Sequence, residues 1–295
     1  MATLVKFLST YCHAKRCKAL LALAVVISCI GISPAVAQIN LTFGTYAADK
    51  PTATVRKFIP FLDYLAKEMT LALDEQVTIK IQIASQYSQA ITELTEGRVD
   101  FARFGPASYV TAKKQNPSIQ IIAMETKNGK KTFKGIIAVH SDSNIKELKE
   151  LKGHSFAFGA PLSTIGRYLA QAMLLDAGIT GEDLSEFAFL GRHDRVGTAV
   201  GNQDFDAGAL KESTFDKLTA KNTPIKKLVS FDNVTKPWIA SPNISPRIYN
   251  ALVAAMLNAT DPEVLKSISK SGFLTGNDHD YDTIRTAMLR STEFN

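Results

Sequence analysis

From residue 41 onward, short apolar runs alternate with longer stretches in which apolar side chains recur every three or four positions. Such alternation requires strands laid side by side with helices covering their faces, the pattern of an α/β protein. Strands are expected over 41–44, 77–83, 119–124, 135–139, 155–158, 187–190, 205–210 and 225–229. The run at 77–83 places Val77, Ile79, Ile81 and Ile83 on one face, as a half-buried strand does. Pro51 opens a helix whose Phe58, Leu62, Leu65 and Met69 keep helical spacing. Helices are also expected over 107–114, 145–152, 165–177, 211–218, 247–257 and 281–290. The units fall into two sets, predicting two lobes, each a mainly parallel sheet flanked by helices, joined by a double crossover. One lobe spans 38–137, completed by about 236–295, and the other 138–235. Ligands of open α/β sheets bind at the carboxyl ends of the strands, which here face a shared cleft.

The first 37 residues stand apart from this pattern. Lys6, Lys15, Arg16 and Lys18 precede an apolar run over 19–32, and Ala35-Val36-Ala37 has the small residues of a cleavage site, so a removed export signal is expected. An alternative start is Val26-Ile27-Ser28-Cys29, which loosely resembles a lipid-attachment sequence and would leave an anchored Cys29. Without residues 1–37, four of the 34 basic residues and none of the 28 acidic ones are lost, so the net charge falls from +6 to +2 (30 minus 28). Little then remains to attract a nucleic acid. All three cysteines, Cys12, Cys17 and Cys29, lie in the same segment. The remaining 258 residues (295 minus 37) can form no disulfide, thiolate nucleophile or thiolate metal site.

Hydroxyl, aromatic, imidazole and charged side chains fall at or just after expected strand ends, which points to one site: Tyr46, Tyr87, Arg103, Ser163, Thr164, His193 and Asp206. Ser163 and Thr164, in Gly159-Ala160-Pro161-Leu162-Ser163-Thr164-Ile165-Gly166, precede a helix. They read either as a plain helix cap or as part of an anion cradle made with the unpaired N–H groups of the first turn. His193 is a donor to an oxyanion or a satisfied surface histidine. Arg103 is a bidentate anion contact or the partner of Asp100 or Glu125. No second histidine stands three or four residues from His193 and no metal site is expected. Neither a Gly-x-Ser-x-Gly elbow nor a Gly-rich lysine loop is present, so no enzyme and no cofactor are expected.

Five stretches carry a resemblance: Tyr87 followed by residues 91–100, Phe104-Gly105-Pro106-Ala107-Ser108-Tyr109-Val110, residues 148–153, Ser163-Thr164-x-Gly166, and Gly191-x-His193-Asp194. Together they resemble the periplasmic substrate-binding proteins of phosphate, phosphite and phosphonate ABC transporters, over roughly residues 41 to 260. The resemblance implies a periplasmic-binding-protein-like fold of type II. It also implies a monomer that closes by a hinge motion on a small oxyanion in the periplasm and delivers it to an ABC permease, or signals to a sensor kinase. The ligand oxygens would be held by Tyr87, Ser163, Thr164 and His193, and Glu212 would meet the amino end of an aminophosphonate. Two places depart from the family. Ile165 stands where a third hydroxyl is usual, and Phe133 where a tyrosine is usual. Each lost hydrogen bond to a charged ligand is worth about 1.5–3 kcal/mol, roughly ten- to a hundredfold in affinity.

Overall fold

A computed structural model of the chain describes residues 38–46, 50–126, 128–268 and 270–294. The export signal expected over 1–37, with Cys29, lies outside the described residues. In the first lobe, β1 (Gln38–Tyr46) leads to α1 (Pro51–Leu73), which starts on its proline and is closed by Asp74 at φ 54°. Next come β2 (Gln76–Ala84), α2 (Tyr87–Thr95), β3 (Phe101–Arg103), α3 (Pro106–Gln115) and β4 (Gln120–Thr126). The chain crosses at 128–131 to the second lobe. There β5 (Thr132–His140) and β6 (Ser155–Phe158) precede a π-helical turn, Thr164–Leu169, that runs into α4 (Ala170–Asp176). The lobe continues with β7 (Glu186–Phe189), α5 (His193–Gly201), β8 (Ala207–Lys211), α6 (Glu212–Thr219) and β9 (Ile225–Val234). The return at 235–236 leads to β10 (Pro237–Ala240), α7 (Pro246–Leu257), α8 (Pro262–Ser267), β11 (Gly272–Leu274) and α9 (Asp282–Arg290).

The first sheet has the order β11-β4-β10-β3-β1-β2 and the second β7-β6-β8-β5-β9. Both are mixed rather than mainly parallel. β1 is parallel to β2 and β3, and β6 to β7 and β8, as expected of βα units. β10 runs antiparallel to β3 and β4, and β5 to β8 and β9. The reason is the crossing itself: β5 and β10 enter their sheets from the opposite lobe, so their first residues, not their last, lie at the cleft.

Two expected elements differ and one strand, β10, is not anticipated. The helix over 145–152 is only a 3-10 turn, Leu148–Leu151. Ile145 and Leu151 both reach the core, and one turn between extended segments is enough to bury both. β8 begins and ends one or two residues later than expected, which puts Lys211 at its end and Asp206 before its start. β10 is fully buried, so its Pro237-Trp238-Ile239-Ala240 shows no alternation that would mark a strand.

Trp238 anchors the first lobe. Its ring stacks on Phe43 with centroids 4.9 Å apart and meets Phe61 edge-on at 5.3 Å. Phe156 and Phe158 centre the core of the second lobe. The C-terminal segment adds a third link to the two crossings. On the first-lobe side, Tyr281 packs on Tyr109 at 4.7 Å, whereas Ser291 bonds to Gln171 and Phe294 packs on Phe158 at 5.5 Å. No helix of the described residues is long and apolar enough to cross a membrane.

Candidate ligand-binding cleft

Between the lobes lies a narrow pocket lined by Tyr46, Tyr87, Gly105, Pro106, Phe133, Ser163, Thr164, Ile165, His193, Lys211, Asn233 and Lys236. It is small, about 20 Å³ measured for the centre of a water-sized sphere, room for one compact ion. The first turns of α2, α3, the π-helical turn and α5 all contribute lining residues. Their N–H groups lack partners within the helix and carry the positive end of the helix dipole. A larger, open depression is lined by Phe189, Leu190, Arg192 and Asp194 among others. Arg192 there is held by Asp194 through two bonds of 2.9 and 3.1 Å, and the narrow pocket is the better candidate.

The Ser163 loop is built by a close backbone approach. Gly159 N–H donates to the Gly166 carbonyl at 2.7 Å, and a Cβ on Gly166 would stand 2.8 Å from Gly159 Cα. Only glycine fits there. The Ser163 hydroxyl oxygen accepts from Gly166 N–H at 3.0 Å, so it is a helix cap. Capping uses a lone pair and leaves the O–H proton to donate elsewhere, so cap and cradle are compatible. Thr164 does the same across the cleft: its Oγ1 accepts from the N–H of Ala107, in the first turn of α3, at 2.9 Å. Ile165 is buried and packs over Gly135, where a Cβ would stand 2.9 Å from its Cγ2.

On the facing lobe, the Tyr46 hydroxyl accepts from Gly105 N–H at 2.6 Å and lies 3.0 Å from Ser108 Oγ. Burial raises its pKa against the opposing effect of these bonds, so it stays a neutral donor. The Tyr87 ring stacks on it at 3.7 Å. His193, the first residue of α5, is 4% exposed.

Three expected site residues lie elsewhere. Arg103 forms a bidentate pair with the buried Glu125, one of its two bonds 2.9 Å long. Glu125 also accepts from Trp238 Nε1 at 3.1 Å and pairs with Lys270 at 3.0 Å. Although burial alone would raise its pKa, Arg103 and Lys270 hold it well below the usual carboxylate range. The pairing follows from register, because β10 lies between β3 and β4 and sets Trp238 against both Arg103 and Ala123. Asp206 binds Ser155 N–H and Oγ, both at 2.9 Å, at the amino ends of β8 and β6. Those ends point away from the cleft. Glu212 is held by Lys227 at 2.9 Å.

Five lining residues were not anticipated: Gly105, Pro106, Lys211, Asn233 and Lys236. Lys236 is half-buried, its ammonium 5.8 Å from the Phe133 ring, with Lys270 5.7 Å from the same ring. Burial lowers its pKa well below the lysine range, helped by Arg103 and Lys211. Asn233 is 2% exposed, and among the described residues neither its amide nitrogen nor its oxygen has a hydrogen-bond partner. Leaving such groups unsatisfied costs about 1–3 kcal/mol each. Among the described residues, no group of His, Cys, Asp and Glu side chains could hold a metal ion.

Two α/β lobes meeting at a small pocket lined with hydrogen-bond donors define a solute-binding protein. The model of the family described as ABC-transporter periplasmic substrate-binding proteins for phosphonate matches residues 43–281, and the chain belongs to that family. A probable ABC transporter phosphite-binding protein, PhnD1 of Prochlorococcus marinus, is 33% identical over 54% of this chain and 54% of its own. The alignment therefore spans about half of that relative's length. The phosphate-import protein PhnD of Mycolicibacterium smegmatis is 28% identical over 69% of this chain and 68% of its own. The solved structure of the Prochlorococcus PhnD1 with methylphosphonate superposes with a TM-score of 0.74 at 24% identity, covering 86% of this chain and 98% of that one. At that identity the likeness establishes the fold.

Proposed function

We propose that the protein captures a small phosphorus oxyanion, a phosphonate, phosphite or phosphate, in the interlobe cavity and delivers it to an ABC permease. The observation that carries this reading is one pocket lined by Ser163, Thr164, His193, Lys211, Lys236 and Asn233, the last with an unsatisfied amide. Every one of these groups is a donor, or can be, and none is a carboxylate. The similarity to relatives named for phosphite and phosphate import points to the same chemistry. Tyr46, Tyr87 and Thr164 bind from positions already fixed by bonds and stacking, Ile165 and Phe133 close the cavity without polar contact, and His193 donates from the start of α5.

In this reading the protein works in the periplasm as a monomer, since one chain supplies the whole cavity. The lobes open and close about the crossings at 128–131 and 235–236, a hinge motion of the kind that closes around ligands. Calorimetric titration with phosphate, phosphite, methylphosphonate, 2-aminoethylphosphonate and small carboxylates tests the substrate class. At least one phosphorus oxyanion should bind, and the carboxylates should not. Absence of binding by every phosphorus compound would sink the reading.

A further inference from the structure

We propose that Asn233 holds the ligand by both ends of its amide, Nδ2 donating to one ligand oxygen and Oδ1 accepting from a ligand hydroxyl, and so favours phosphorus oxyanions that keep a proton over sulfonates, which have none. The inference deepens the proposed function and rests on it. The strand decides where the amide goes. Asn233 stands opposite Phe133, and Asp232 opposite Lys134, in the β5–β9 register. Side chains alternate between faces along a strand. Asp232 therefore turns outward, where it pairs with Lys134 at 3.0 Å, and Asn233 turns to the other face and, with Phe133, lines the pocket. The backbone just beyond is held in place: Thr235 N–H donates to the Lys131 carbonyl at 2.8 Å, and the Thr235 carbonyl accepts from the Tyr281 hydroxyl at 3.2 Å.

The amide itself has no structural bond to make. Among the described residues, neither Nδ2 nor Oδ1 of Asn233 has a hydrogen-bond partner, and the side chain is buried. Such a group is destabilising until something satisfies it, and a leucine of similar volume would fill the space without that cost. A ligand carrying both an oxygen and a hydroxyl would satisfy the two ends together. The Ser163 and Thr164 hydroxyls each already accept a backbone N–H and have a proton left to donate to the ligand. Asn233 Oδ1 differs from them, because a carbonyl oxygen can only accept. Its partner must therefore bring a proton. Near pH 6, about the second pKa of a phosphate group, a large share of a phosphate or phosphonate still carries a P–OH. An ionised sulfonate presents similar tetrahedral oxygens without a proton and would set a lone pair against Oδ1.

The discriminating pair is methylphosphonate and methanesulfonate, titrated calorimetrically at about pH 6. The wild-type protein should bind methylphosphonate at least about tenfold more tightly. Asn233→Leu should weaken methylphosphonate by about tenfold and narrow the ratio between the two compounds. The melting temperature of the ligand-free variant should be equal to that of wild type or higher, whereas loss of a structural bond would lower it. Asn233→Ala serves if the leucine impairs folding, and it should narrow the ratio too. Equal affinity of the wild type for the two compounds, or a ratio unchanged in a folded Asn233 variant, overturns the proposal while leaving phosphorus-oxyanion binding intact. Absence of binding by methylphosphonate, phosphite and phosphate alike overturns the functional reading itself, and the role of Asn233 with it.

Discussion

The Thr164 hydroxyl oxygen accepts a hydrogen bond from Ala107 N–H, 2.9 Å away, and so joins the two lobes across the cleft. In the proposed function the same side chain is both a latch and, through its remaining O–H proton, a donor to the ligand. Thr164→Val keeps the shape, removes both bonds and strands a buried N–H. It should weaken the bound oxyanion by roughly ten- to a hundredfold in calorimetry. Small-angle scattering of the ligand-free variant should show a more open mean shape. Unchanged affinity and shape would show that the contact is incidental.

His193 is buried at the start of α5 and lines the cavity. His193→Ala should weaken the ligand by about tenfold or more, the value of one lost charge-assisted bond. Fluorescence or calorimetric titration reads the change. A variant that binds as well as wild type would place the oxyanion elsewhere.

The Lys57 ammonium is destabilised first by burial, then by Arg103, Lys211 and Lys270 against the favourable Glu125, which brings its pKa from 10.5 down to about 7. The sign follows from proton counts. Below about pH 7 the folded protein holds the charge at full disadvantage. Between about 7 and 10.5 the unfolded chain keeps a proton that the folded one has lost, so stability rises with pH across that window. Lys57→Met should therefore stabilise the ligand-free protein at pH 7 and flatten its pH dependence. One tenfold change in ionisation constant, about 1.4 kcal/mol, is a sensible size at a half-buried site still partly screened by solvent. Melting curves at pH 7 and 9 check it, and parallel curves for the two proteins would refute it.

Glu125 has the opposite sign. Its folded pKa lies below the unfolded value, so its contribution is complete above the unfolded carboxyl pKa of about 4.3 and is lost as pH falls through the folded value. Glu125→Gln leaves Arg103 and Lys270 facing each other without a counter-charge. It should cost about 3–5 kcal/mol at pH 7 in urea unfolding, and the difference from wild type should narrow below about pH 4. A difference that stays constant to pH 3 would mean that the carboxylate charge is not what matters.

Much of the cleft was legible because strand ends and helix starts are legible. Tyr46, Tyr87, Ser163, Thr164 and His193 sit where an apolar run gives way to a helix, and local pattern places such positions in the crevice. The misplaced residues depended on longer-range facts. Arg103 was claimed by Glu125 through the register of β10, a strand whose four buried residues have no alternation. β8 starts two residues later than expected, at Ala207, and leaves Asp206 just before its amino end, away from the cleft. The same shift moved Lys211 out of an expected helix and into the cavity. Asn233 and Lys236 lie at the return crossing, and their place in the site depends on where the two lobes meet, which no local periodicity encodes.

The strap formed by α9 and Phe294 bears on how such jaws can move. Two strands crossing side by side define an axis and leave rotation about it free. A third attachment, from Tyr281 in the first lobe to Phe294 among the aromatic rings of the second, lies along a separate path. It works as a rein: twisting and sliding are resisted, and the swing can extend only as far as α9 travels with it. In the proposed hinge motion the amplitude of opening then depends on a helix that lines no part of the pocket, and it can change while the pocket wall stays the same.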